Sequence, residues 1–456
     1  MRRIIIPLFA SLIAAPLLAG CPQREVAEVD PATNKEEFKD IPVSLNRDID
    51  ILFIIDNSLS MEEEQASLNA NFYNFISVLE NIEGGLPNVH IGVVSSDVGG
   101  NAAVGCPGNG DNGTLQSAPL GGDGCTGPAG AFIRDIARED GSRDQNFDAT
   151  QGLADTFACI AALGTEGCGF EMHLESMKRA LNGSNPTNQN FLREDAYLAI
   201  IFIADEDDCS IEDLDLLDEA AAAEATLGPL SSFRCFEYGV QCEPDDDPRT
   251  PGPRQNCVPR DDSAYMYQVQ SYVDFLKGLK DDPSLVIVAG ILGNETPVTV
   301  GTTTVGNPPR TIPELEPSCT SPSGNAAPAV RLRHFLDQFP QRNTFTTICN
   351  ANLSDGLLQI ADLLATVIGN PCLDGNLTDP PECRVSDVRF PGQDNQTETI
   401  IPECASVPPD SGDLPCWHLE PDDACTDTPS GLSLIVERGT GSVPTGTHVQ
   451  ARCVVE

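Results

Sequence analysis

Hydrophobic and polar positions alternate along the chain with two different periods. The run Ile51–Ile55 is continuously apolar and ends at Asp56. It is followed by "EEEQASLNANFYNFISVLE", which places Leu68, Phe72, Phe75, Ile76 and Leu79 on one helical face. The segments "VHIGVVSS" (89–96), "DAYLAIIFIA" (195–204), "SLVIVAGIL" (284–292) and "TFTTIC" (344–349) read as further strands. Between them lie helical patterns built on Phe170, Leu174, Met177 and Leu181; on Tyr265, Val269, Tyr272, Val273 and Leu276; and on Leu353, Leu357, Ile360, Ala361 and Leu364. Near-continuous apolar strands alternating with amphipathic helices predict an α/β fold, a doubly wound, mostly parallel sheet with helices on both faces. Ligands of such sheets bind at the carboxyl ends of the strands.

Two stretches interrupt the alternation. Residues 97–150 are rich in Gly, Asp and Asn, and residues 209–262 carry four Cys and the acidic run "EPDDDPRTPGPRQN". Both are expected to be disulfide-pinned surface loops, of a length that is often functional. Beyond residue 370 the pattern turns to short alternating runs and turns with six Cys, which predicts a small disulfide-rich β module over 370–456.

Charge narrows the functional classes. The chain has 26 Lys and Arg against 69 Asp and Glu, a formal charge of -43. Nucleic-acid surfaces need Lys and Arg to displace counterions, so a nucleic-acid partner is disfavoured, as is docking on anionic lipid. A surface of this sign attracts cations.

The start, "MRRIIIPLFASLIAAPLLAGC", reads as a signal peptide over residues 1–20. Its ending, Leu18-Ala19-Gly20-Cys21, resembles a bacterial lipobox, in which cleavage precedes a lipidated Cys. That resemblance implies lipidation at Cys21 and a membrane attachment through the lipid alone. Pro22 rather than Asp after the Cys favours the outer membrane of a Gram-negative envelope, facing either side of it. Residues 21–45 then form a flexible tether. No later run is long and apolar enough to span a bilayer.

Setting Cys21 aside leaves an even set of Cys, the signature of a disulfide framework in an exported chain. The set is Cys106, Cys125, Cys159, Cys168, Cys209, Cys235, Cys242, Cys257, Cys319, Cys349, Cys372, Cys383, Cys404, Cys416, Cys425 and Cys453. Neighbours in sequence suggest Cys159 with Cys168, Cys372 with Cys383, Cys404 with Cys416 and Cys425 with Cys453, although connectivity does not follow from sequence.

The chemistry concentrates after the first strand. Asp56, Ser58 and Ser60 fall on one turn, where a helix cap accounts for one hydroxyl but not for a carboxylate and two hydroxyls. Hard divalent cations take oxygen ligands of this kind. The third apolar strand ends at Asp205, and "LGTEGCGFE" offers Thr165 and Glu171 before a helix. Glu206, Asp207 and Asp208 read as solvated charge, with one of them behind the metal ligands as the alternative, and Asp111 and Asp123 lack the ordered spacing of a Ca2+ loop.

Taken together, the strand, the Asp-x-Ser-x-Ser turn, the helix, the Thr-bearing loop and the strand ending in Asp resemble a von Willebrand factor A (vWA) domain over residues 46–369. The resemblance implies a metal-ion-dependent adhesion site. Asp56, Ser58, Ser60 and Asp205 match its motifs, Thr165 is the candidate Thr, and Glu171 is the substitute. The neighbourhood of Thr165 departs from the family's Gly-Gly-Thr. Mg2+ or Mn2+ is the implied ion, with Ca2+ also admitted, and its open position would take an acidic residue from a partner protein. No Gly-x-Ser-x-Gly, His-Glu-x-x-His or P-loop occurs, so an enzyme is not expected. The expected role is adhesion or assembly by an envelope-anchored binding protein. The alternatives are an envelope scaffold, with metal and disulfides only stabilising the fold, and, last, a metal-dependent hydrolase.

Overall fold

The computed structural model describes residues 35–455, apart from 43–47, 81–85, 101–105, 107, 119–124, 139–141, 195, 245–246, 281, 323, 341, 351, 370–371, 374, 390–395, 410–411, 422–424, 426–427 and 439–446. The signal peptide and Cys21 therefore lie outside the described residues, as does Asp123.

A seven-stranded sheet organises residues 48–369. Its strands are β1 (Asp48–Ile55), β2 (Asn88–Ser95), β3 (Ile133–Ala137), β4 (Arg143–Gln145), β5 (Tyr197–Ala204), β6 (Val286–Leu292) and β7 (Asn343–Thr347). Their order across the sheet is β7-β6-β5-β1-β2-β3-β4. The five strands from β7 to β2 are parallel, and β3 and β4 add antiparallel at one edge.

The period of two explains why β1 reads as unbroken apolar sequence. Ile49, Ile51, Phe53 and Ile55 face a core formed with α1 (Glu62–Glu80), α2 (Leu153–Ala161) and α6 (Ser354–Gly369). Leu52 and Ile54 face the opposite core with α3 (His173–Leu181), α4 (Val269–Lys277) and α5 (Val330–Asp337). Helices on both faces leave no polar side to the central strands. Phe53 touches Phe72, Phe75 and Phe157 in one aromatic cluster, with ring centroids 4.7–5.9 Å apart. From β1 the chain builds outward to β4 and then returns to β5, so the carboxyl ends of β1 and β5 open side by side.

Several expectations are corrected. Residues 97–150 are not surface loop throughout, because Ile133–Ala137 and Arg143–Gln145 extend the main sheet. Residues 209–262 fold into two short helices and two strands. The strands Val240–Glu243 and Gly252–Pro259 join a hairpin, Val298–Val305 and Arg310–Leu315, in a four-stranded antiparallel sheet. The tether expected over 21–45 contributes the strand Lys35–Pro42, which pairs along its length with Thr447–Val455 of the C-terminal module. That module places Trp417 in a small core with Val385, Ile401, Leu434, Val449 and Ala451.

Eight disulfides join Cys106–Cys168, Cys125–Cys159, Cys209–Cys235, Cys242–Cys257, Cys319–Cys349, Cys372–Cys425, Cys383–Cys453 and Cys404–Cys416. Of the pairs suggested by proximity, only Cys404–Cys416 forms. The others lose to partners that the sheet brings together from farther along the chain, such as Cys383 and Cys453 facing each other on paired strands. A framework of this density belongs to an oxidising, extracytoplasmic compartment. No helix among the described residues is long and apolar enough to cross a membrane.

Candidate metal centre

The carboxyl ends of β1 and β5 build the site. Asp56 follows β1, and its backbone N–H still donates to Ile203 O of β5 at 3.0 Å. Its side chain is fully buried. Asp56 Oδ1 accepts from Ser58 N at 2.7 Å and from Ser96 Oγ at 3.4 Å. The first of these bonds folds the Asp-x-Ser turn. The turn brings the Ser58 and Ser60 hydroxyls within 3.0 Å of each other. Asp205, one residue past β5, accepts a hydrogen bond from Ser60 and is 3% exposed.

Gln65 staples the neighbouring loop onto this turn. Its Nε2 donates to Asp56 O and to Gly164 O, both at 2.9 Å, and its Oε1 accepts from Leu163 N at 3.1 Å. Gly167 N donates to Asn57 O at 3.0 Å. A Cβ at Gly167 would collide with the Asn57 side chain and backbone. Gly167→Ala is therefore expected to displace the loop from the turn at a cost of about 1–3 kcal/mol, read by denaturant unfolding. A loss below a few tenths would mean the loop does not brace the turn.

The loop approaches, but its hydroxyl does not join the cluster. Thr165 is half-buried and makes no hydrogen bond to Asp56, Ser58, Ser60 or Asp205 among the described residues. Glu171 does join. It is buried, its side chain hydrogen-bonds Glu206, and its charge interacts with Asp56. The sequence alternative to Thr165 is thus the residue the fold gathers with the carboxylates.

Of the acidic run after β5, Asp208 is buried and Glu206 and Asp207 are half-buried, and each residue has its own place. Glu206 packs against Glu171. Asp207 accepts from Arg331 N and Leu332 N, at the start of α5, at 2.8–3.1 Å. Asp208 is buried and pairs with Arg331 at 3.0 Å. Asp111 accepts from Ser95 Oγ at 2.6 Å, which accounts for that carboxylate without a ligand. Of the sequence histidines, His90 bonds Phe191 O at the opposite end of β2. His173, the first residue of α3, is fully buried with its Nε2 3.7 Å from Asp56 Oδ2. Nothing in the sequence marks His173 beyond its place near the motif.

The electrostatics are one-sided. Burial first, and then the charges of Asp56 and Glu206, push the Asp205 carboxyl up to about 8. Burial together with Glu206 and Asp56 holds Glu171 well above the carboxylate range, and burial chiefly raises Glu206. Glu64, on the first turn of α1, is raised by burial and by Glu63 and Asp56. Among the described residues no Lys or Arg is ion-paired with Asp56, Glu171, Asp205 or Glu206. Asp56 Oδ2 and Asp205 Oδ1 are buried with no hydrogen-bond partner. Buried carboxylates normally find donors or cations. Among the described residues no three His, Cys, Asp or Glu side chains form a ready ligand group, so further donors, the Ser hydroxyls and water among them, would have to complete any coordination shell.

Beside the cluster lies a cleft of about 380 Å³. Glu171 and Glu206 line it together with Phe233, Phe236, Ile312 and Leu315 from the insertion and its hairpin.

No family model matches the chain, and no curated protein matches it. Among solved structures it is similar to the pilus adhesin SpaC from Lactobacillus rhamnosus GG in its open conformation, with a TM-score of 0.32 and 13% identity over 94% of this chain and 43% of that one. It is also similar to the pilus adhesin RrgA from Streptococcus pneumoniae, with a TM-score of 0.28 and 9% identity over 92% of this chain and 58% of that one. The chain thus spans about half the length of these structures. Likeness at these scores carries no weight for fold or function.

Proposed function

We propose that residues 46–369 form a vWA-type domain whose carboxylate and hydroxyl cluster holds a divalent cation, Mg2+ or Mn2+, and that the loaded site binds an acidic side chain of a partner protein. The observation that carries this reading is the pair of buried oxygens without a hydrogen bond, Asp56 Oδ2 and Asp205 Oδ1, on adjacent strand ends with no Lys or Arg among the described residues paired to them. Asp56, Ser58, Ser60 and Asp205 would hold the ion, with Glu171 standing where the family has Thr. Few carboxylates, hydroxyls and remaining water positions suit Mg2+ or Mn2+ better than Ca2+, which takes more ligands. The bound ion supplies a Lewis-acidic position for a carboxylate. The Asp56 turn presents the donors, Gln65 fixes that turn, and Phe233, Phe236, Ile312 and Leu315 line the neighbouring cleft. With the lipobox, this describes an envelope lipoprotein in an adhesion or assembly role, not an enzyme.

The test is calorimetric titration of Mg2+ and Mn2+ into the metal-stripped full-length protein, beside Asp56→Ala and Asp205→Ala. One saturable site, weakened about tenfold or more in each variant, is expected. A wild type that binds neither ion would leave the domain a scaffold.

A further inference from the structure

His173 lies beside the carboxylates without a hydrogen bond to its ring. It is fully buried at the first position of α3, and neither ring nitrogen has a hydrogen-bond partner. The backbone around it is held firmly. Met172 N donates to Ser96 O at 2.9 Å, Leu174 N to Asp208 Oδ1 at 2.9 Å and Glu175 N to Ser210 Oγ at 3.0 Å. The ring is therefore delivered to one place, with Nε2 facing Asp56 Oδ2 across 3.7 Å. That separation is too long for a hydrogen bond. Two donors that each lie about 2.0–2.2 Å from one ion are themselves between about 3 and 4 Å apart. Two buried, unpartnered donor atoms facing each other at this distance leave room for an ion between them.

From this we infer that His173 Nε2 is a nitrogen ligand of the cation, together with Asp56 Oδ2, so that the site is a mixed nitrogen and oxygen centre. The inference rests on the metal reading above and deepens it. An imidazole adds affinity for first-row transition ions and does little for Mg2+, which prefers oxygen. The site is then selective for Mn2+ and its heavier neighbours over Mg2+, although the Asp-x-Ser-x-Ser turn alone would suggest no such preference.

The measurement is pulsed electron paramagnetic resonance of Mn2+ bound to the full-length protein carrying 15N-labelled histidine, beside His173→Gln, with Mg2+ and Mn2+ titrated into both. The expected wild-type spectrum shows coupling to one histidine nitrogen, absent in His173→Gln. Mn2+ affinity in the variant should fall about tenfold or more while Mg2+ affinity changes little. Because the nitrogen coupling is read in the wild type, a variant that fails to fold does not remove the test. Bound Mn2+ that couples only to water and oxygen donors overturns the nitrogen ligand and leaves the metal reading standing. A wild type that takes up no Mn2+ or Mg2+ overturns both.

Discussion

Stripped of divalent cations, the protein is expected to lose stability as pH rises from about 4 to about 8, and adding Mg2+ or Mn2+ should abolish that loss. The sign follows from Asp205, whose carboxyl stands at about 8 in the folded chain against an ordinary value of 3.8. The folded state therefore holds a proton that the unfolded state has released across this window. The stability this group contributes is complete below its unfolded value and disappears as pH climbs to the folded one. One pH unit inside the window changes stability by at most about 1.4 kcal/mol per group, and the whole effect is on the order of a few kcal/mol. Glu171 and Glu206 are displaced in the same direction, chiefly by burial, with the charge of Asp56 adding to each.

A divalent ion bound as proposed would displace the protons that the buried carboxylates hold, so the loaded site would no longer prefer low pH. The general repulsion in a chain of charge -43 also grows with pH, so the informative quantity is a difference. Melting temperature in EDTA should fall with pH more steeply in the wild type than in Asp205→Asn, and Mn2+ should raise it in the wild type alone. Parallel curves for the two proteins from pH 4 to 8 would show that burial at β5's end does not load the site with protons.

What the sequence disclosed follows from how local each signal is. β1 and β5 are legible because both faces of each strand are buried, leaving Ile51–Ile55 and the run to Ala204 apolar throughout. Asp56, Ser58 and Ser60 are legible because one turn carries all three. Glu171 competes with Thr165 in sequence, and only the packing of Glu171 against Glu206 separates them. His173 looks like any polar residue at a helix start, because what distinguishes it is an atom of Asp56 that comes from another strand. The run Glu206-Asp207-Asp208 has the look of exposed charge, since its partner Arg331 lies more than a hundred residues away and is itself buried. The strand Lys35–Pro42 is polar and edge-like, and only its pairing with Thr447–Val455 reveals it. The hairpin over 298–315 carries a β-rich signal, Val298, Val300 and Thr302–Val305 before the Gly306-Asn307 turn and Thr311 and Ile312 after it.

Replacing Asp208 by Ala is expected to cost about 3–5 kcal/mol, because it leaves the Arg331 guanidinium buried without its counter-charge. Both side chains are essentially inaccessible, and Arg331 Nε and Nη2 donate to Asp208 Oδ2 at 3.2 and 3.0 Å. Arg331 also donates to Gly239 O and Tyr267 O, tying the second insertion and the segment before α4 to α5. Asp208 further accepts from Leu174 N and Ser210 Oγ, so the Ala variant strands donors on α3 as well. The exposed pair Arg333–Asp337, 2.7 Å apart on the same helix, is the control, and Asp337→Ala should cost no more than about 0.5 kcal/mol. A second readout distinguishes a local defect from a general one. Asp208 lies three residues after Asp205, and Asp207 beside it is held by the first turn of α5. Loosening this segment should weaken metal binding although Asp208 touches no proposed donor of the site except through the backbone of α3. Equal losses in Asp208→Ala and Asp337→Ala would mean that water reaches Arg331 and that the ion pair does not lock the insertion to the sheet.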